Sequence, residues 1–256
     1  MTGPSLGAGL EGRAVIVTGA AGGIGGEAAR LIAECGGIVW ALDLPGERLD
    51  QFVANLPGAG HVALGMNLGD TETIEPTIRD LAASSEVPLW GVIHAAALLR
   101  RKDPADVTVD DWDAQVDVNL KGTFYLNRVV GDLLVDGGIG GRIVNFSSVA
   151  WMTGPMVGSD VYVATKGAVV SLTKGFARRL AEHGITANVI APGQIDTAMQ
   201  RVDNTEAWMS AAAAGAPMKR MGLPEEVANV AVFLVSDNAS FVSGATINVS
   251  GASLMY

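Results

Sequence analysis

Thr18-Gly19-Ala20-Ala21-Gly22-Gly23-Ile24-Gly25-Gly26 stands directly behind the apolar run Ala14-Val15-Ile16-Val17 and leads into a segment where Ile24, Ala28, Leu31, Ile32 and Cys35 fall on one helical stripe. The β-branched run reads as a strand and the 3.6-residue period as a helix, so the glycines make the turn between them. A turn of this kind aims free amides outward at the positive end of the helix dipole. Without side chains it lets backbone approach an anionic group that any Cβ would hold off. The stretch reads as a phosphate cradle opening a βαβ unit, with a ligand-free tight turn as the plain alternative.

Working outward, further short apolar runs at 38–42, 61–64, 89–95, 142–146, 186–190 and 246–249 alternate with helical patterns. That alternation predicts an α/β chain: one Rossmann-type domain over 1–256, doubly wound, with a mostly parallel seven-stranded sheet and helices on both faces. Thr108 with Asp111 reads as a capping box opening a helix that holds Trp112, Val116 and Leu120, and Pro224-Glu225-Glu226 reads as another helix start. Residues 1–11 read as a flexible lead. The alanine run 211–214 fits a helix within a substrate lid over 198–222.

Composition narrows the partners. The chain carries 27 acidic against 17 basic residues, a formal charge of −10, and so offers no basic face to nucleic acid. Hydrophobic residues make up 49% and charged ones 17%, enough apolar surface for a folded core. Cys35 is the single cysteine, which excludes an internal disulfide or a cysteine zinc cage; it reads as a small core hydrophobe, and no metal is expected. No basic-then-apolar leader and no stretch of about 18 apolar residues is seen, so no membrane partner and a cytoplasmic place are expected.

The second strand run leads to Asp43, 18 residues after Gly25, near the spacing at which an acid reaches an adenosine ribose beyond a pyrophosphate. A carboxylate there accepts from ribose hydroxyls. It repels a 2′-phosphate by roughly 4 kcal/mol per charge pair at about 4 Å and an effective dielectric of about 20. Leu44 follows, and no arginine or lysine stands in the turn or directly after Asp43, so the expected cofactor is NAD rather than NADP. A purely structural strand-end aspartate is the alternative.

Tyr162 and Lys166 lie four residues apart, on one face of a predicted helix. A phenol titrates near pH 10, and a neighbouring ammonium lowers that by about 1 to 3 units, toward the range of acid/base work. Ser147 and Ser148 end the fifth strand run, at the carboxyl edge where open α/β sheets bind ligands.

With these clusters in place, the sequence resembles the short-chain dehydrogenase/reductase family over about 12–251. Thr18, Gly19, Gly23 and Gly25 match the family's Thr-Gly-x-x-x-Gly-x-Gly turn, which also contains Ala21, Gly22 and Ile24, while Tyr162 and Lys166 match its Tyr-x-x-x-Lys pair. The resemblance implies Ser148 as the catalytic serine, 14 residues before Tyr162 and one more than the usual separation, with Ser147 the less favoured neighbour. It implies that Asn119 holds a water linking Lys166 to solvent, and that Lys166 also grips the cofactor ribose. Pro192-Gly193-Gln194-Ile195-Asp196-Thr197 resembles the segment that binds the nicotinamide carboxamide through the Ile195 backbone and the Thr197 hydroxyl. Two positions depart from the pattern. The family's Asn-Asn-Ala-Gly is here His94-Ala95-Ala96-Ala97, implying backbone contacts to adenosine, and the aspartate that meets adenine is here Asn67, followed by Leu68. His94 reads as a satisfied interior histidine.

The implied activity is hydride transfer between NAD(H) and a secondary alcohol or ketone, on a 3-oxoacyl or a carboxylated dihydrodiol type of small-molecule substrate. A non-catalytic NAD-binding regulatory or scaffold protein is the rival of another class. Leu99, Arg100, Trp151, Met199 and Trp208 are the substrate candidates, although such apolar residues equally suit the core of a lid. The triplet Arg100-Arg101-Lys102 reads either as an attractor of a carboxylate or as a solvated face. A helix over 161–181 is expected to bury Ala168, Leu172, Phe176 and Leu180 while Val163, Val170 and Ala177 form a second apolar face. With the family resemblance, this implies a D₂ homotetramer.

Overall fold

The computed structural model describes residues 6–155, 158–202 and 204–255. Strands β1 (Ala14–Thr18), β2 (Ile38–Asp43), β3 (Val62–Gly65), β4 (Leu89–His94), β5 (Gly141–Phe146), β6 (Ile185–Pro192) and β7 (Thr246–Val249) form one sheet in the order β3-β2-β1-β4-β5-β6-β7. Every pairing is parallel, not merely most of them. The helices are α1 (Gly23–Glu34), α2 (Glu47–Ala54), α3 (Thr71–Ser84), α4 (Val109–Val116), α5 (Thr123–Gly137), α6 (Ala150–Thr153), α7 (Asp160–Leu180), α8 (Ala198–Val202), α9 (Glu206–Gly215) and α10 (Pro224–Val235). A π-helical turn, Asp117–Gly122, joins α4 to α5.

Alternation along β1 shows why both faces are covered. Val15 and Val17 pack with Ile32 of α1 and Val227 and Ala231 of α10, while Ala14 and Ile16 pack with Leu126 and Val130 of α5 and Phe176 of α7. The chain winds outward from β1 to β3, then returns to place β4 on the other side of β1. The loops leaving β1 and β4 diverge at that switch and open a crevice at the carboxyl edge.

Some local readings change. Residues 6–11 are not a loose lead: Leu10 is fully buried, the Asp237 amide donates to the Ala8 carbonyl at 2.9 Å, and a Cβ on Gly7 would lie 2.5 Å from the Cys35 sulfur. Residues 1–5 of that lead lie outside the described residues. The Thr108–Asp111 capping box opens α4, yet the side of this segment turned inward carries Asp111, Gln115 and Asn119, while Trp112 is exposed. On α7 the expected second face does not stand apart, because Val163, Val170 and Ala177 are already buried within the chain while Ala168 and Leu172 are half-buried. The segment 198–222 carries α8 and α9 and is pinned at its base. There the Asp196 amide donates to the Gly222 carbonyl and the Gly222 amide to the Gln194 carbonyl, each at 2.9 Å. Among the described residues no helix is long and apolar enough to cross a membrane.

Candidate active site

A cavity of about 1180 Å³ runs along the carboxyl edge, from the glycine turn to the helices α8 and α9. Its glycines are required by contact as well as by conformation. A Cβ on Gly25 would sit 2.4 Å from the Gly19 carbonyl oxygen, and one on Gly19, where φ is +66°, would sit 3.0 Å from the Ala96 nitrogen. The turn therefore presents bare backbone at the start of α1, and the residues present fit a dinucleotide pyrophosphate.

Every residue expected at the cofactor lines this cavity except Ala21. Ala21 is committed elsewhere: its N–H donates to Asp43 Oδ2 at 2.9 Å and its carbonyl accepts from Arg48 Nε at 3.0 Å. The Leu44 amide donates to Asp43 Oδ1 at 2.8 Å, so two backbone bonds fix the carboxylate at the cavity wall. Asn67 Oδ1 accepts from the Gly69 amide at 3.0 Å, which holds its side chain in a turn at the same wall. Arg48 is a residue the sequence reading misses. It stands in the first turn of α2, yet its Nη2 reaches to within 2.3 Å of where a Cβ on Gly22 would be, and it lines the cavity with Asp43. No cation follows Asp43 directly in the chain, but one arrives there in space.

At the middle of the cavity α7 brings Tyr162 and Lys166 against the end of β5. Lys166 is buried, donates from Nζ to the Phe146 carbonyl at 2.8 Å, and lies 5.5 Å from the Tyr162 ring centre. Burial pushes the Tyr162 phenol up to about 12, with the charge of Arg101 pulling the other way, and burial pushes Lys166 down to about 8. Desolvation thus outweighs the lowering by the Arg101 charge and favours the protonated phenol. Both serines line the cavity, but Ser147 is buried and donates to the Lys166 carbonyl at 2.8 Å, pinning α7 to β5, whereas Ser148 is half-buried and accepts from the Ala150 amide at 3.3 Å. Asn119 is buried and does not line the cavity. Its Oδ1 accepts from the Leu98 amide at 2.7 Å, and its Nδ2 donates to the Leu98 carbonyl at 2.8 Å and to Thr165 Oγ1 at 3.3 Å, so its side chain latches the loop after β4 onto α7.

Of the substrate candidates, Leu99, Met199 and Trp208 line the far end of the cavity, joined by Leu98. Trp151 is not among the described residues that line it, although its neighbour Ala150 at the start of α6 is. Arg100 lines the cavity, but its guanidinium pairs with Asp110 at 2.6 Å and Asp111 at 3.3 Å. Lys102 pairs with the same Asp111 at 2.6 Å, and hydrogen bonds from Lys102 and Thr108 hold that carboxyl well below the usual range. Arg101 turns instead to the lid, where it donates to Gln200 Oε1 at 3.1 Å. The sequence offered no way to tell these three cations apart.

Known proteins resemble this chain over nearly its whole length. The family described as Enoyl-(Acyl carrier protein) reductase matches residues 19–252. The 3-oxoacyl-acyl-carrier-protein reductase FabG of Thermotoga maritima is 36% identical over 250 residues, covering 94% of this chain and 98% of that protein. The (3R)-3-hydroxyacyl-CoA dehydrogenase of Canis lupus familiaris is 32% identical over 256 residues, 96% of this chain and 98% of that one. A solved structure of a short chain dehydrogenase/reductase family protein superposes with a TM-score of 0.83 at 33% identity, covering 94% of this chain and 97% of the other. These relatives are enzymes, which sets aside a non-catalytic scaffold. The glycine cradle, the Tyr162–Lys166 pair and these likenesses agree: the chain belongs to the short-chain dehydrogenase/reductase family and is an oxidoreductase that interconverts alcohols and ketones with a nicotinamide dinucleotide.

Proposed function

We propose that the chain uses NAD(H) to interconvert 3-hydroxyacyl and 3-oxoacyl thioesters, with Tyr162 as the general acid and base. The observation that carries this reading is the meeting of Tyr162, Lys166, Ser148 and the glycine turn in one cavity. A dinucleotide bound along the turn supplies or takes up the hydride. In reduction, the Tyr162 hydroxyl gives its proton to the substrate oxygen as that oxygen gains charge, and the Ser148 hydroxyl donates to the same oxygen. The Lys166 ammonium beside the ring steadies the phenolate left behind. Burial favours the protonated phenol, the form that reduction needs; in the oxidising direction the base form is needed, so that rate climbs with pH. Asn119 works as a positioning residue for the loop after β4.

Asp43, aimed by two amides, supports NAD over NADP, and Arg48 is the opposing influence at that end. The thioester class is supported by the relatives named above and by the apolar far end of the cavity. A carboxylated ring is disfavoured because Arg100 and Lys102 are paired with Asp110 and Asp111. The segment 198–222 serves as the substrate lid, closing over the far end through Met199 and Trp208. A homotetramer is part of the reading, supported by the outer face of α7, where Cβ atoms at Gly167 and Gly175 would meet open space, and by Phe124 at 38% exposure. So is a cytoplasmic setting, where the free thiol of Cys35 stays reduced.

Replacing Tyr162 with phenylalanine tests the core of the reading. Turnover should fall by at least about 100-fold while reduced NAD still binds. Near-normal turnover in Tyr162→Phe would overturn the assignment.

A further inference from the structure

The reaction just described makes no use of a buried imidazole that lies between the glycine turn and the start of α5. His94, the last residue of β4, is 3% exposed; its Nδ1 is 2.8 Å from Thr18 Oγ1 and its Nε2 is 2.8 Å from Thr123 Oγ1. Neighbouring bonds fix the direction of each contact. The Thr123 hydroxyl donates to the Asn119 carbonyl at 2.7 Å, which leaves its oxygen to accept from a proton on Nε2. Nδ1 then carries no proton and accepts the Thr18 hydroxyl, while the Thr18 oxygen accepts the Ala96 amide at 3.0 Å. Each group is used once in one sense, and only the neutral Nε2–H imidazole completes the chain. Burial, reinforced by the charge of Lys166, keeps His94 neutral by pushing it down to about 3.

This chain closes around one loop. Ala96 is held by Thr18, and Leu98 is held on both its amide and its carbonyl by Asn119. His94 connects the two clamps, joining Thr18 to Thr123 and through it to Asn119. The segment between them, 95–98, is a wall of the cavity, and it packs on the turn so closely that Gly19 has no room for a Cβ.

We propose that His94 is a positioning residue whose neutral imidazole spans Thr18 and Thr123, sets the separation of the glycine turn from the Asn119 turn, and so holds wall 95–98 where dinucleotide and substrate meet. The proposal rests on this cavity being the reaction site, whichever dinucleotide binds. Near-normal turnover in Tyr162→Phe would undo the proton assignment and leave the state of His94 untouched.

The side-chain shapes allow the two bonds to be removed one at a time. Asparagine places a polar atom near Nδ1, and glutamine places one near Nε2. His94→Asn should keep the Thr18 side and chiefly raise the substrate KM, whereas His94→Gln should keep the Thr123 side and chiefly weaken dinucleotide binding, each by about tenfold. His94→Phe, lacking both bonds, should show both losses. Imidazole ¹⁵N spectra of the native full chain read the premise directly, since there are only three histidines to assign. His94 should appear as the neutral Nε2–H form, unchanged from about pH 5 to 8. Thr123→Val, a substitution of similar shape, should mimic His94→Asn and decides the matter if a His94 variant does not fold. Titration of His94 in that range, the opposite tautomer, or native binding and KM in folded His94→Phe or Thr123→Val would overturn the proposal.

Discussion

At the glycine-turn end of the cavity a single added Cβ on Gly25 would press into the Gly19 carbonyl at 2.4 Å. At the lid end, Met199 and Trp208 close the space from α8 and α9, and Met199 is still 40% exposed. One end is walled by backbone that has one shape, the other by side chains that can repack over different ligands. On the proposed reading, the contrast gives dinucleotide binding to the first region and the choice of substrate to the second, with Tyr162 and Lys166 between them. It also says where each can be broken.

The largest effect belongs to the backbone end. Gly25→Val should weaken dinucleotide binding by at least about 100-fold, because the clash is with main chain that cannot move aside. Trp208→Ala should leave that affinity within about twofold and lower kcat/KM for an acyl substrate by about tenfold, as a lost apolar contact does. Fluorescence titration of the reduced cofactor with steady-state rates checks both. Equal cofactor loss in the two variants would erase the contrast.

A smaller effect sharpens it within the cofactor end, where Asp43 and Arg48 face the same space. Asp43→Ala should narrow the preference of NAD over NADP by about tenfold, and Arg48→Ala should widen it by a similar factor. Paired titrations with both dinucleotides read the two shifts, and a wider preference in Asp43→Ala would contradict the charge argument.

A further effect is on stability toward acid, through His94. Its pKa falls from 6.5 in the unfolded chain to about 3 in the fold, so in that window the unfolded chain binds a proton that the native one refuses. Stability is then full above about pH 6.5 and is lost toward acid by about 1.4 kcal/mol per pH unit from this group. Urea midpoints against pH, compared between native and His94→Gln, should show the slope reduced in the variant.

How much of this was legible beforehand follows the same division. Backbone requirements write themselves into glycine, and periodicity writes the layers, so the seven strands, the winding and the cofactor end could be read along the chain. Tyr162, Lys166 and Ser148 were readable because two lie one helical turn apart and the third ends a strand. What escaped depends on side chains meeting across distance in sequence. Arg48 reaches the glycine turn from the next helix, Asp111 claims Arg100 and Lys102, and Ala150 lines the cavity where Trp151 beside it does not. His94 is the satisfied interior histidine that the sequence suggests, but its partners Thr18 and Thr123, 76 and 29 residues away from it, were hidden.

The most direct test of the central claim is the initial rate at which the native chain oxidises reduced NAD on addition of a short 3-oxoacyl thioester, followed by cofactor absorbance beside the same assay with reduced NADP. Thioester-dependent loss of reduced NAD, faster than that of reduced NADP, is the predicted result. Absence of turnover with either, while both dinucleotides bind, would contradict it.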